Sequence, residues 1–115
     1  MRTYCIIGDP VSHSLSPAMH NAAFKSLGLD SVYIAYKVTG IELEASIESL
    51  RSVKIAGFNV TIPHKTKVLQ YLEEIDVPSS KAGAVNTVIS NNGKFKGFNT
   101  DIQGFVQPLL KRGID

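Results

Sequence analysis

The chain has no tryptophan and a single cysteine among its 115 residues. One cysteine excludes an internal disulfide, so packing and hydrogen bonds alone must hold the fold. Cys5 lies in the apolar run 4–7 and is expected as a buried core thiol. Neither Gly-x-Gly-x-x-Gly nor Gly-x-x-x-x-Gly-Lys occurs, so no glycine-rich loop is offered to a dinucleotide or a nucleoside triphosphate. No apolar run reaches transmembrane length. The apolar stretch near Met1 is too short for a signal peptide. Repeats and low-complexity segments are absent. Neither sign of charge clusters: Lys and Arg number 12, Asp and Glu 10, for a net +2. That balance is too mild to argue for nucleic acid, and Lys25, Lys37, Lys54, Lys94 and Lys96 are scattered as solvated positions would be. His13, His20 and His64 have no acidic or thiol partner at ligand spacing, so no metal site is expected. What remains, at 43% hydrophobic and 19% charged, reads as one soluble, cytoplasmic globular domain.

Apolar and turn patterns divide the chain. Residues 4–7 form a short apolar run closed by Gly8-Asp9-Pro10, a buried strand. Ser16-Pro17 opens a helix, with Ser16 as N-cap, Met19, Ala22, Ala23 and Leu27 on one face, and Gly28 as terminator. Residues 32–38 are a second strand. Gly40 leads into a helix whose Leu43, Ile47 and Leu50 share a face. Residues 56–61 are a third strand, 64–72 the next helix, and a turn is expected around 77–80. Residues 85–90 and 94–98 pair through Asn91-Asn92-Gly93, a hairpin signal. From Asp101 onward Ile102, Phe105, Val106, Leu109 and Leu110 make a helical stripe, with Thr100 and Gln103 as a possible capping box and Pro108 interrupting it. Alternating strands and helices predict an α/β fold: a three-layer sandwich around a mostly parallel twisted sheet with one antiparallel strand. In such sheets ligands bind at the carboxyl ends of the strands.

Polar side chains fall at those ends. In Gly57-Phe58-Asn59-Val60-Thr61-Ile62-Pro63-His64-Lys65, an apolar strand ends in small polar groups and is followed by a lysine in the expected first turn of a helix. A cation there opposes the helix dipole by about 0.3–1 kcal/mol, while Glu73 and Glu74 crowd the opposite end. Charges set against the dipole point to an anionic partner or a reacting ammonium, and Lys65 with Asp101 is the candidate acid–base pair. For Asp101 the simpler reading is an acid favoured by a helix start. Ser14 and Ser16 place two hydroxyls before a helix N-terminus, where a carboxylate is welcome; the simpler reading is a cap and a turn. Asn59, Asn86 and Asn99 sit where strands rarely hold asparagine. They either read substrate hydroxyls or cap local backbone.

At these residues the sequence resembles shikimate dehydrogenase, in its N-terminal substrate-binding domain. The resemblance rests on Gly8-Asp9-Pro10-Val11-Ser12-His13-Ser14-Leu15-Ser16-Pro17, His20-Asn21, the run 57–65, Ala82-Gly83-Ala84-Val85-Asn86-Thr87 and Gly97-Phe98-Asn99-Thr100-Asp101. It implies a substrate-binding domain over 1–115 of an enzyme that interconverts 3-dehydroshikimate and shikimate with NADPH, in aromatic amino acid biosynthesis. It also implies a second, Rossmann-type NADP-binding domain, which this chain does not contain. Carried over by motif, Ser14 and Ser16 would hold the substrate carboxylate. Lys65 and Asp101 would be catalytic at the reacting oxygen, and Asn86 would bind ring hydroxyls with them. Asn59 and Thr61 would line the same pocket. The implied partner is the small-molecule substrate, without nucleic acid or membrane, in a monomer or homodimer. Two alternatives stay open: a relative acting on quinate or aminoshikimate, and a stand-alone carboxylate-binding module without turnover. A glycine-rich fingerprint after a strand beyond residue 115 would mark the enzyme, and a stop codon there would mark the binding module.

The missing phosphate loop generates a direct prediction. The purified 115-residue chain gives no micromolar NADPH binding by titration calorimetry, and such binding would refute the reading.

Overall fold

The computed structural model describes residues 1–100. The order is β1 (Arg2–Gly8), α1 (Ser16–Ser26), β2 (Ser31–Lys37), α2 (Leu43–Ser52), β3 (Gly57–Val60), a 3-10 helix (Lys67–Tyr71), β4 (Glu74–Ile75), α3 (Val77–Ala82), β5 (Thr87–Asn91) and β6 (Lys94–Phe98). The strands form one sheet in the order β2-β1-β3-β5-β6-β4. β1 pairs in parallel with β2 and β3, and β4 in parallel with β6. β5 alone runs against its neighbours β3 and β6. The mostly parallel α/β sheet with one antiparallel strand is therefore as the sequence predicts. The apolar helix stripe from 102, the capping box with Gln103 and the interruption at Pro108 lie outside the described residues. Among the described residues, no helix is long and apolar enough to cross a membrane.

Strand alternation sends side chains to two faces. Cys5 and Ile7 of β1 point to the main core, where Leu43, Ile47 and Leu50 of α2 meet them. Phe58, Val60, Val88 and Phe95 complete that core, with Phe58 edge-on to Phe95 at 5.3 Å. On the other face Tyr4 meets Phe24 of α1 at 5.6 Å between ring centroids. α1 differs from its expected orientation. Met19, Ala22, Ala23 and Leu27 are exposed, and the half-buried residues are Ser16, Pro17, Asn21 and Phe24. The reason is polar: Asn21 donates its Nδ2 to the Tyr33 carbonyl and accepts the Tyr33 N–H at Oδ1, both at 2.8 Å. That pair turns the Asn21 face, and not the Met19 face, toward the sheet.

Two further segments depart from the expected pattern. Residues 64–72 do not form an α-helix. A turn containing the cis Ile62–Pro63 bond leads only later into the 3-10 helix Lys67–Tyr71. The Lys65 carbonyl, which an α-helix would use internally, accepts the Val85 N–H at 2.9 Å. Residues 77–80 lie in α3 and not in a simple turn. Asp76 caps α3 by accepting the Ser79 N–H at 3.0 Å, and Gly83 ends it in the left-handed region at φ 69°. The Asp76-x-Pro78 start and the Gly83 stop were readable signals. The two-residue strand β4 carried none.

Glu73 does not stand at a helix end, as expected, but faces Arg51. Arg51 donates to both Glu73 oxygens, one at 2.7 Å, to the Tyr71 carbonyl at 2.6 Å and to the Gly93 carbonyl at 3.1 Å. Its guanidinium also lies 4.2 Å from the Phe95 ring centroid. Glu73 in turn accepts the Phe95 N–H at 3.2 Å. Hydrogen bonds from Arg51 hold the Glu73 carboxyl below the usual carboxylate range. One side chain of α2 thus ties together the 3-10 helix end, the β5–β6 turn and β6.

Two measurements follow from this packing. Arg51→Ala lowers unfolding free energy by roughly 1.5–3 kcal/mol in urea titrations, and Arg51→Lys recovers little because an ammonium cannot fork. An unchanged midpoint in Arg51→Ala would refute the clamp. The second concerns alkaline pH. Burial pushes the Cys5 thiol from 9.0 up to about 12. Burial first, and then the Cys5 charge, push the Tyr33 phenol from 10.0 up to about 12. The unfolded chain releases these protons earlier than the folded one. Stability is therefore full below about pH 9 and falls as pH rises toward 12. Cys5→Ala flattens the onset of that fall, and a Cys5→Ala profile identical to wild type would contradict it.

Candidate functional site

The sheet register brings one row of strand ends together. Gly8 pairs with Lys37, Ile7 with Val60, Asn59 with Thr87, and Thr87 with Phe98. The parallel strands finish at this edge, and the antiparallel β5 starts there. The segments carrying Ser14, Thr61, Lys65, Asn86 and Thr100 all leave from it.

The loop after β1 must pass close to the turn after β3. A Cβ at Gly8 would clash with the Thr61 methyl and sit 2.8 Å from the Ile62 carbonyl oxygen. Glycine is required there. The Asp9 N–H donates to that same Ile62 carbonyl at 2.9 Å. Farther along, α1 begins differently from the sequence reading. Ser16 is the first helical residue and not the N-cap; Leu15 occupies the cap position without a side-chain bond. The Ser14 hydroxyl accepts the Ser16 N–H at 3.2 Å. Ser14 thereby takes up one of the donors that a helix start leaves open, and both hydroxyls stand at the N-terminus of α1.

Asn59 is the hub of the site. Its Oδ1 accepts the Tyr33 hydroxyl at 2.6 Å. Its Nδ2 donates to the Thr87 hydroxyl at 3.1 Å and to the Asn86 carbonyl at 3.3 Å. The Thr87 hydroxyl donates to the Asn86 Oδ1 at 3.0 Å. The Asn86 Nδ2 donates to the Thr100 hydroxyl at 3.0 Å, and the Thr100 N–H returns to the Asn86 Oδ1 at 2.9 Å. The result is one polar chain from Tyr33 through Asn59 and Thr87 to Asn86 and Thr100, with the Ser14–Ser16 pair at the same sheet edge. A groove of about 560 Å³ runs beside it, with Tyr33, Asn59, Thr87 and Thr100 among its walls.

Lys65 and Thr61 belong to the turn that closes this edge. The Thr61 N–H extends the β1–β3 ladder by donating to the Ile7 carbonyl at 2.9 Å. Lys65 is half-buried, and its carbonyl bond to Val85 sets its backbone one residue from Asn86. Because the 3-10 helix starts after it, the expected conflict with an α-helix dipole does not arise. His64 anchors the turn from below: it is fully buried and its Nε2 hydrogen-bonds the Val38 carbonyl. Asn99 is buried and donates to the Ala84 carbonyl at 3.3 Å, the local capping alternative. Asp101 lies outside the described residues. Ser14, Ser16, Asn59, Thr61, Lys65 and Asn86 are thus brought to one edge of the sheet. Tyr33 and Thr87 were missed. Nothing in the apolar run around Tyr33 announced a polar role, whereas Thr87 stood beside Asn86.

The described residues form no cluster of three or more side chains able to hold a metal ion. Nor do they suit a dinucleotide. The turn after β1 carries Asp9 and Pro10 where a pyrophosphate needs open glycine backbone, and Gly8 is already packed against Thr61 and Ile62.

Comparison with known proteins gives a consistent result. The family model described as the shikimate dehydrogenase substrate binding domain matches residues 6–88. A shikimate dehydrogenase (NADP(+)) of Nitrosopumilus maritimus is 55% identical over 114 residues, covering 99% of this chain and 42% of that protein. Among solved structures, a shikimate 5-dehydrogenase of Listeria monocytogenes in complex with shikimate and NAD superposes with TM-score 0.91 at 39% identity, covering 100% of this chain and 40% of that one. A Thermus thermophilus shikimate 5-dehydrogenase in complex with NADP(H) and shikimate gives TM-score 0.88 at 39% identity, covering 100% and 44%. The chain spans about 40% of the length of these relatives. Fold, motif order and similarity agree, and the chain belongs to the shikimate dehydrogenase substrate-binding domain family.

Proposed function

We propose that this domain binds shikimate and 3-dehydroshikimate for their reversible, NADP-dependent interconversion. The observation that carries the reading is the placement at one sheet edge of the Ser14–Ser16 pair at the start of α1 and the polar chain from Tyr33 to Asn86 and Thr100, beside the Lys65 turn. A small hydroxylated carboxylic acid needs an anion site at one end and amide groups at the other, and this edge supplies both. Relatives solved with shikimate support the choice of acid.

The carboxylate takes the Ser14 and Ser16 hydroxyls and the positive start of α1. Ring hydroxyls are read by Asn59, Thr61 and Asn86. Lys65 acts as general acid toward the ketone oxygen in the reductive direction and as base in reverse, with Asp101 beside it to orient the group and bind the reacting oxygen. The NADP cofactor does not fit the residues of this domain, and we assign it to a second, Rossmann-type domain of the working enzyme. The same reading gives a cytoplasmic protein, monomeric or homodimeric, with no nucleic-acid or membrane partner.

Two substitutions in the complete enzyme carrying this domain test the roles. Lys65→Ala is expected to lower kcat by about 10²–10⁴-fold, as for a general acid–base group, with little change in shikimate Kd. Ser14→Ala is expected to weaken binding more than turnover, because its contact is made equally in ground and transition states. A Lys65→Ala enzyme within about threefold of wild-type kcat would overturn the assignment.

A further inference from the structure

Tyr33 heads the polar chain, and the family reading does not use it. It comes from β2, whereas its partner Asn59 comes from β3. Its hydroxyl heads the asparagine end of the site by donating to Asn59 Oδ1 at 2.6 Å. Three independent restraints place it. Asn21 brackets its backbone N–H and carbonyl at 2.8 Å each. The His20 ring stacks on it at 4.5 Å, 12° from parallel. Only 3% of the residue is exposed. A surface tyrosine in a sheet does not need an asparagine clamp on its backbone and a stacked ring to hold its phenol on one acceptor.

The hydrogen bonds also have a direction. An asparagine amide has two ends that differ only in donor and acceptor character. Because the Tyr33 hydroxyl donates to Oδ1, the Nδ2 end of Asn59 is set toward Thr87 and Asn86. Without that donor the amide loses the contact that selects its orientation. Burial keeps the phenol protonated at neutral pH, as donation to Asn59 requires.

We propose that Tyr33 is a positioning residue for the hydroxyl-reading end of the pocket, holding the Asn59 amide in one orientation through its phenol. It is thereby a specificity determinant for acids that carry a ring hydroxyl at the matching distance. The inference rests on the proposed reading of the pocket as a carboxylate and hydroxyl site.

The test uses Tyr33→Phe, which keeps the ring and its stack on His20 and removes the hydroxyl. Binding to the 115-residue chain is measured by amide NMR titration with two ligands: shikimate, and cyclohex-1-ene-1-carboxylate, which keeps the ring acid and lacks the hydroxyls. In Tyr33→Phe the preference for shikimate over the plain acid is expected to fall about tenfold, the worth of one hydrogen bond near the upper end of its range. A purely structural role would weaken both ligands alike and leave the ratio unchanged, and that result would overturn the proposal. Asn59→Ala is expected to lose the same preference, with no further loss in the double variant. The side-chain amide signals of Asn59 in the ligand-free chain give a separate readout. They are expected to shift and broaden in Tyr33→Phe, and unchanged signals would overturn the proposal even if neither ligand bound. Failure of the wild-type chain to bind either acid would overturn the reading of the pocket, and the Asn59 signals would still decide the role of Tyr33.

Discussion

Every part of the candidate site depends on the parallel pairing of β1 with β2 on one side and β3 on the other. β1 is laddered along its full length to β2 and through residues 4–7 to β3. Parallel strands deliver their following segments to the same sheet edge. The loop with Ser14, the turn with Lys65 and the end of β2 therefore meet with no contribution from side-chain chemistry. β5 enters in the opposite sense, so its start, and not its end, joins them. Had β5 been parallel, Asn86 would stand at the far edge. The single antiparallel strand is what brings the second asparagine into the pocket.

Backbone placement alone would leave buried and half-buried polar groups without partners, and that is costly in a low-dielectric interior. The polar chain from Tyr33 to Thr100 meets this cost before any substrate is present. Each member has an acceptor or donor in its neighbour, so their orientations are set in advance, and little ordering remains for binding to impose. The buried His64 works from underneath by bonding the Val38 carbonyl, which holds the Lys65 turn against the end of β2. Away from the site, Arg51 gathers the 3-10 helix, β6 and the hairpin turn onto α2. The two ends of the sheet thus use polar side chains differently. One end neutralises a charge pair and closes the fold. The other leaves amides and hydroxyls facing a groove.

Much of the fold was legible. Apolar runs closed by Gly8-Asp9-Pro10 and by Asn92-Gly93 marked β1 and the β5–β6 hairpin, and Leu43, Ile47 and Leu50 at helical spacing marked the buried face of α2. These signals are local: hydrophobic period and turn chemistry act within a few residues. The misreadings have a common cause. Residues 64–72 have an acceptable helical pattern, but the Lys65 carbonyl bonds Val85, twenty residues away, and no local rule sees that contact. The face of α1 was misjudged because the Asn21 amide, bonding across to Tyr33, outweighed the apolar spacing of Met19, Ala22 and Leu27. Glu73 was placed against a helix end that does not exist, and its partner is Arg51 of a distant helix.

The sequence by itself determined the α/β class, the order of the principal strands and helices, and the identity of the polar residues at the strand ends. Hydrophobic period and the presence of asparagine, serine and threonine where strands usually avoid them are written in the residues. Only the tertiary structure decided how those polar groups pair. It made Ser14, and not Ser16, the acceptor at the start of α1, it moved Lys65 from a helix into a turn, and it brought the Tyr33 hydroxyl onto Asn59. Such pairings join residues from different elements. They depend on strand register and on which hydrogen bonds remain once the backbone ladders have taken theirs, and neither quantity exists until the sheet has formed.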